Sequence, residues 1–164
     1  MSKSMTNASP IEAGSKRQDT QLLAFRLGEQ EYALSISNVV QVVRMVAITP
    51  LPTASDELEG VINLHGKIIP VVDLRKRCGL PPQPHDLDTQ LLIAQSNEQL
   101  AALAVDEVSE VLVLSSASIE SIDAMSDDLK FLSAIGKVND RLILILDPTQ
   151  VIPSAEDLVP KNLN

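Results

Sequence analysis

The residues of this sequence that could do chemistry are few and far apart. The chain has two histidines, His65 and His85, and one cysteine, Cys78. A zinc site needs several Cys, His or acidic ligands at suitable spacing, and a cysteine nucleophile needs an adjacent base. No such pattern surrounds these residues. The sequence therefore predicts no metal site, and Cys78 is predicted to be a small core or surface thiol.

Two acidic pairs, Asp106-Glu107 and Asp127-Asp128, are a second candidate for chemistry, because paired carboxylates can perform acid–base catalysis. Neighbouring side chains on a strand point to opposite faces and cannot face one another, so a solvated loop face is the better interpretation. The sequence also lacks the glycine-rich phosphate loops and the Gly-x-Ser-x-Gly elbow. We expect no enzymatic activity, no catalytic residue and no cofactor, and the residues favour a binding module.

The composition of the chain limits the classes of partner that it could bind. The 164 residues carry a formal net charge of −9 and are 45% apolar but only 2% aromatic. The negative charge argues against nucleic-acid binding and against docking on anionic lipid. No apolar run approaches the roughly 20 residues of a membrane span, and the N-terminus has no apolar segment typical of a signal peptide. We expect a cytoplasmic protein without direct membrane insertion.

The apolar segments are rich in Leu, Ile and Val, which favours an all-β fold. The segment LLAFRLGEQEYALSI is typical of a hairpin, VVQVVRMVAI and KIIPVVDL predict further strands, and the proline-rich CGLPPQPHDLDT predicts a loop that divides the chain. Residues 1–20 are predicted to be a flexible tail, residues 21–153 the folded part, and residues 154–164 a C-terminal tail.

The two halves of the chain resemble each other. QLLAFRLGEQEYALSISNVVQVV, from Gln21, aligns without a gap with QLLIAQSNEQLAALAVDEVSEVL, from Gln90. LEGVINLHGKIIPVVD aligns with LSAIGKVNDRLILILD, and Asp73 falls on Asp147, so we expect both aspartates to cap the same turn. The repeat predicts two copies of one small all-β unit on a shared core, the first mostly 21–80 and the second mostly 88–150, with strands free to exchange between them.

The segment GVINLHGKIIPVVDLR, residues 60–75, stands out within the first copy. Gly60 and Gly66 permit turn conformations closed to other residues, and Pro70 fits an edge or a bulge, where no ladder donor is needed. From the residues alone, a purely structural role and a binding surface are equally good interpretations.

The same segment resembles the signature of the CheW-like family, the bacterial chemotaxis coupling proteins: Gly-Val-x-Asn-Leu-Arg-Gly, an apolar strand with Pro, then Asp-Leu-Arg. FRLGEQEYALSISNVVQVV, LAALAVDEVSEVL and NDRLILILD resemble further family segments in the right order. The resemblance implies two pseudo-symmetric five-stranded SH3-like β-barrels packed on a shared hydrophobic core, with short helices. It also implies a non-enzymatic adaptor that couples the cytoplasmic tip of a chemoreceptor to the regulatory domain of the two-component histidine kinase CheA.

The resemblance also assigns residues. The receptor-binding positions would be Gly60, Val61, Asn63, Leu64, His65 and Gly66, and the kinase-binding positions Ile36 and Val39, which also read well as core residues. Two positions depart from the family: His65 stands where Arg is usual, and Gln41 where Glu is common. Our hypothesis is that His65 is an interface residue tuned to a different receptor; the alternative is a tolerated surface substitution.

The resemblance leaves several alternatives open. The chain could be an accessory scaffold of a twitching or surface-sensing pathway, a small-molecule sensor using the groove between the barrels, or a fragment of a kinase. Self-association with other CheW-like proteins in rings is a further expectation, as is recruitment to membrane receptor arrays through partners. The basic residues near the signature could meet acidic side chains of a receptor or form a solvated strand end; they are Arg44, Lys67, Arg75, Lys76 and Arg77.

Overall fold

The computed structural model describes residues 19–52, 56–122 and 129–154. In these ranges the chain forms eleven strands, two one-turn α-helices and two 3₁₀ helices, Ile36–Asn38 and Ser116–Ser118. The strands and α-helices are β1 (Thr20–Leu27), β2 (Gln30–Ser35), β3 (Val39–Arg44), β4 (Leu58–Leu64), β5 (Lys67–Val72), α1 (Leu74–Arg77), β6 (Gln90–Ser96), β7 (Gln99–Val105), β8 (Glu107–Leu114), β9 (Ile119–Ser121), β10 (Leu132–Val138), β11 (Arg141–Leu146) and α2 (Pro148–Val151). Nearly all of the two predicted tails, and the pair Asp127-Asp128, lie outside the described residues.

The strands form two sheets, and each sheet takes strands from both halves of the chain. The five-stranded sheet has the order β3-β6-β7-β5-β4, and the six-stranded sheet has the order β9-β10-β11-β2-β1-β8. The hairpin β1–β2 thus joins strands of the second half, and β6–β7 joins strands of the first. Among the described strands neither sheet closes into a hydrogen-bonded ring. The extra strand is the three-residue β9, and the equivalent place in the other sheet holds only the single antiparallel bridge between Thr49 and Val61.

The registers of the two sheets repeat one another. The parallel pair β5–β7 aligns Val71 with Ala102, and the parallel pair β11–β2 aligns Ile145 with Ala33, which are the matching positions of the sequence repeat. The β4–β5 and β10–β11 hairpins also have their register shifts at matching positions. The predicted fold class is therefore confirmed: the chain is all-β and consists of two pseudo-symmetric SH3-like units, here of five and six strands.

Three apolar clusters hold these sheets together. One lies inside the five-stranded sheet, one lies inside the six-stranded sheet, and the largest joins the two. Strand β1 shows how, because Leu22 enters the interior of its own unit while Leu23 and Phe25 enter the joint cluster. An uninterrupted apolar run such as LLAF is what a strand buried on both faces requires. The predicted shared core is therefore confirmed.

Both one-turn helices begin at the aspartates that the repeat aligned. The Asp73 carboxylate accepts a hydrogen bond from the Lys76 N–H at 3.1 Å, and the Asp147 carboxylate accepts one from the Thr149 N–H at 3.0 Å. A side-chain oxygen at this position satisfies an N–H that has no partner within the helix. The prediction that both residues cap the same turn is confirmed.

Removing either cap should destabilise the protein. We expect Asp73→Ala and Asp147→Ala each to lower the free energy of unfolding by about 1 kcal/mol, because an N–H of the first turn loses its acceptor. Urea unfolding followed by circular dichroism measures this. Asp88→Ala is the matched control, since Asp88 is exposed and its carboxylate accepts no described hydrogen bond. Equal stability of a cap variant and this control would contradict the capping role.

Candidate protein-binding hairpin

The segment that carries the family resemblance forms the hairpin β4–β5. Leu64 pairs with Lys67, so His65 and Gly66 alone make the turn, and both have left-handed backbones, with φ of 53° and 85°. Two successive positive φ angles define a type I′ turn, which matches the twist of a hairpin. Glycine adopts this conformation freely, and histidine is one of the few other residues enriched there. The expected turn role of Gly66 is confirmed.

Asn63 stabilises this turn through its side chain. Its Oδ1 accepts a hydrogen bond from the Gly66 N–H at 3.0 Å. Asn63, His65 and Gly66 are all exposed to solvent. The order Asn-x-His-Gly therefore gives a turn whose shape is set by its own residues and whose surface is open to a partner.

The other predicted receptor residues support the turn from below. Val61 and Leu64 are half-buried, and Leu64 packs against the interior cluster of the five-stranded sheet. Gly60 is buried. All six positions thus lie in one strand and its turn, and three of them reach solvent.

Gly60 has a structural role that the sequence did not reveal. Its φ is 151°, and a Cβ atom built there would lie 2.1 Å from the Thr49 carbonyl oxygen. Thr49 and Val61 exchange backbone hydrogen bonds of 2.8 and 2.9 Å, which cover the outer edge of β4. Glycine at position 60 is what lets this covering segment approach.

Ile68 belongs to the exposed surface and was missed by the sequence reasoning. It pairs with Asn63 across the hairpin, on the face opposite to the buried pair Ile62–Ile69, and 65% of it is exposed. The run KIIPVV gives no alternation that would separate Ile68 from its buried neighbours, so the sequence carries no signal for this residue. An exposed isoleucine beside a rigid polar turn is a suitable anchor for a protein partner.

The predicted kinase-binding residues lie elsewhere: Ile36 begins the 3₁₀ helix that leads into the edge strand β3, and Val39 is the first residue of that strand. Ile36 and Val39 are half-buried and pack against the joint core, which supports a packing role for both. The same strand exposes Val40 by 50% and Val42 by 36%. The kinase assignment of Ile36 and Val39 stays a prediction, and the exposed apolar surface beside them comes from Val40 and Val42.

Several charged residues near the signature are held by contacts within the chain. Arg75 pairs with Asp106 at 2.7 Å, and Asp106 also accepts the Gly28 N–H at 2.7 Å. Arg77 pairs with Glu57 at 2.9 Å and donates to the Gln150 carbonyl oxygen at 2.7 Å. Asp106 is therefore a structural residue that fixes the β1–β2 turn.

The candidate catalytic side chains are occupied or buried. His85 Nε2 lies 2.8 and 2.9 Å from the two carboxylate oxygens of Glu59, which attaches the proline-rich loop to β4. Cys78 is buried, and burial raises the pKa of its thiol to about 12. Within the described ranges, no three His, Cys, Asp or Glu residues are grouped as metal ligands would be.

The junction of the two units was the predicted site of a small-molecule sensor. A cleft of about 190 Å³ lies there, between Val72, Arg77 and α2, which is below the roughly 300 Å³ of typical ligand pockets. A wider, open depression of about 750 Å³ adjoins it beside Lys76, Cys78 and Phe131. Arg77 lines this depression, but its guanidinium group is already bound to Glu57 and to the Gln150 carbonyl oxygen. Neither cavity favours the sensor over a protein-binding role.

The Gly60 contact can be tested by adding one methyl group. We expect Gly60→Ala to lower the free energy of unfolding by about 3 kcal/mol, from backbone strain and overpacking against Thr49. Gly28→Ala is the control, since Gly28 also has a positive φ, of 64°, but open space around its Cβ position. It should cost about 1 kcal/mol. Chemical denaturation of both variants gives the comparison, and equal losses would exclude a steric role at Gly60.

The Cys78 thiol should be almost unreactive in the folded protein. With a pKa of about 12, its thiolate fraction at pH 8 is on the order of 10⁻⁴, and only the thiolate reacts. We expect its reaction with a chromogenic disulfide reagent to be at least about 100-fold slower in buffer than in 8 M urea. Free glutathione in both solvents provides the control. A fast reaction of the native protein would show that Cys78 is accessible.

Comparison with known proteins agrees with the signature. Residues 21–156 match the family model of the CheW-like domain. The chain is 32% identical over 145 residues to the chemotaxis protein CheW of Helicobacter pylori, covering 85% of this chain and 88% of that one. It is 30% identical over 154 residues to the chemotaxis protein CheW of Rhizobium meliloti, covering 93% and 97%.

The fold agrees as well. The crystal structure of the scaffolding protein TtCheW from Thermoanaerobacter tengcongensis superimposes with a TM-score of 0.76 at 35% identity, covering 88% of this chain and 99% of that one. The sequence signature, the two-unit all-β architecture and these similarities lead to one conclusion: the protein belongs to the CheW-like family.

Proposed function

We propose that this protein is a non-enzymatic adaptor that couples chemoreceptors to a CheA-type histidine kinase in a chemosensory array. Its relatives are chemotaxis CheW proteins, and its structural neighbour is described as a scaffolding protein. The observation that carries the proposal is the β4–β5 hairpin, where the family signature forms a rigid, exposed turn. The functional unit is residues 21–153.

The receptor is proposed to dock on the exposed face of this hairpin. His65, Gly66 and Ile68 supply the contact surface, and Asn63 holds the turn through its hydrogen bond to Gly66. Because the turn is already ordered in the free protein, docking loses little conformational entropy, and preorganisation of this kind raises affinity. Gly60, Val61 and Leu64 act from beneath the surface by fixing the strand.

His65 has two properties that suit this role. Its left-handed backbone, with φ of 53°, disfavours most residues other than Gly, Asn, Asp and His. Its imidazole also presents two ring nitrogens, whereas an arginine presents five N–H donors in a rigid fork. We infer that a receptor suited to this chain meets His65 with a smaller and less charged hydrogen-bonding group.

The kinase regulatory domain is proposed to dock on the edge strand β3, beside Ile36 and Val39. An edge strand offers unpaired backbone groups, and β3 adds the exposed side chains of Val40 and Val42. Strand addition at such an edge is a common mode of recognition. Another CheW-like protein would use the same features to join a ring.

The adaptor is proposed to act in the cytoplasm and to reach the membrane through its receptor. No helix in the described part of the chain is long and apolar enough to cross a membrane. The identity of the receptor that binds decides the pathway. That pathway is either swimming chemotaxis or, for an accessory scaffold, twitching or surface sensing.

Direct binding tests the proposal. The purified full chain is mixed with the regulatory domains of CheA-type kinases and with the cytoplasmic hairpin fragments of the receptors from the same cell. Pull-down is followed by calorimetry, and we expect one receptor and one kinase to bind with a Kd of about 10 µM or tighter. Failure of a folded sample to bind any of these proteins would refute the adaptor role.

Surface variants then locate the receptor site. We expect Ile68→Ser to weaken receptor binding by roughly 5- to 20-fold, because an apolar contact is lost, while kinase binding is unchanged. Leu142→Ser is the matched control, since Leu142 occupies the equivalent position of the second hairpin and is 56% exposed. His65→Arg should also change receptor affinity. If both Ile68→Ser and His65→Arg bind the receptor with wild-type affinity, the receptor does not bind this face of the hairpin.

A further inference from the structure

The five-stranded sheet is the first unit and the six-stranded sheet is the second. The hairpin β10–β11 of the second unit is equivalent to β4–β5 of the first, and a cluster of charges holds it. Arg141, the first residue of β11, lies 2.8 and 2.9 Å from the two carboxylate oxygens of Glu31. It also lies 3.3 Å from the carboxylate of Glu110. Bidentate pairs of this kind are among the stronger ionic contacts in proteins. They tie the turn end of the hairpin to β2 and to β8.

The register of the two sheets identifies the matching positions of the first unit. Lys67 matches Arg141, since each pairs with the residue that precedes its turn. Gln41 matches Glu110, since each pairs with the same position of the neighbouring strand. Leu100 matches Glu31 by the register of the hairpins β6–β7 and β1–β2.

The first unit therefore has the cation but neither carboxylate. Gln41 is exposed and uncharged, and Leu100 packs its apolar side chain against the interior of the unit. Lys67 is exposed and makes no hydrogen bond or ion pair through its side chain with the residues that the structure describes. Arg141 therefore fixes its hairpin through ion pairs, whereas Lys67, at the equivalent position, is available to a partner.

The other basic residues near the signature differ from Lys67. Arg75 and Arg77 are paired with Asp106 and Glu57, and Lys76 donates to the Asp56 carbonyl oxygen at 3.3 Å. Arg44 is exposed but lies on β3, outside the hairpin. Lys67 is thus the cation that adjoins the His65–Gly66 turn, in a chain whose net charge is −9.

We propose that Lys67 binds an acidic side chain on the receptor tip, which takes the place that Glu31 and Glu110 take around Arg141. This inference rests on the proposed adaptor function and names the chemistry of its receptor contact. A partner carboxylate approaching the turn would meet Lys67. Such a pair would steer the receptor toward this hairpin and select against receptors with a basic residue there.

Charge reversal at this position tests the proposal. The full chain and its Lys67→Glu variant are titrated by calorimetry with the receptor hairpin fragment that the wild type binds, at 0.1 M and 1 M salt. We expect about tenfold weaker binding at 0.1 M salt, because a like charge opposes the carboxylate. The difference should shrink at 1 M salt, where charges are screened beyond about 3 Å. Lys67→Gln should give a smaller loss in the same direction.

Lys137→Glu is the control for the change of net charge, because Lys137 is an exposed strand lysine of the other unit; its ion pair with the exposed Glu120, at 3.3 Å, contributes little to stability. It makes the same change of net charge and should bind the receptor within about twofold of wild type. Circular dichroism and thermal unfolding confirm that each variant is folded; if Lys67→Glu does not fold, Lys67→Gln alone decides. Kinase affinity should be unchanged in all three variants.

The outcomes separate the two proposals. If the wild type binds a receptor fragment and both Lys67 variants bind it equally well, the Lys67 inference is wrong and the adaptor function stands. The inference is also wrong if the Lys67 variants lose kinase binding instead, or if Lys137→Glu loses as much receptor affinity. If the wild type binds no receptor, the adaptor function itself fails.

Discussion

Strands β1 and β6 are each buried on both faces, and the rest of the architecture depends on this. Leu22 and Leu91 point into the interiors of their own units, whereas Leu23 and Leu92 point into the joint core. Burial of a leucine stabilises a fold by about 1.5–3 kcal/mol. The hairpins β1–β2 and β6–β7 each lie among strands of the other half of the chain. Strands from one half alone could cover at most one face of its own hairpin. The parallel pairs β2–β11 and β5–β7 supply the missing strands from the other half, so the two units are interdependent.

This interdependence leaves particular surfaces free for partners. The joint core uses one face of the hairpins β1–β2 and β6–β7. Among strand residues, the exposed large apolar side chains therefore lie on edge strands and on the hairpins β4–β5 and β10–β11. Val40 and Val42 lie on one edge, and Ile68 lies on the β4–β5 hairpin. The Thr49–Val61 contact covers the outer edge of β4. A scaffold benefits from this arrangement, because separate partners can dock on separate surfaces of one rigid core.

Much of the fold could be predicted from the sequence because it is written in local patterns. The segment LLAFRLGEQEYALSI predicted a hairpin, and the aligned halves predicted the symmetry and the caps at Asp73 and Asp147. What the sequence could not give depends on contacts between distant residues. The exposure of Ile68 and the approach of Thr49 to Gly60 are set by neighbouring strands. The pairing of Arg75 with Asp106 is likewise a long-range contact. The local run of basic residues therefore gave no sign that Arg75 and Arg77 are ion-paired within the chain.

The internal symmetry separates what the fold requires from what a binding site requires. His65 and Asn139 occupy equivalent turns, and both have left-handed backbones, with φ of 53° and 55°. That agreement reflects a demand of the hairpin, which both units must meet. Lys67 and Arg141 also occupy equivalent positions and both are cationic, but among the described residues Arg141 alone of the two pairs with carboxylates. The two hairpins share their strand register, although Gly66 has a positive φ and its counterpart Asp140 does not. The proposed receptor contact would give Lys67, which has no ion pair among the described residues, the counter-charge that Arg141 finds within the chain.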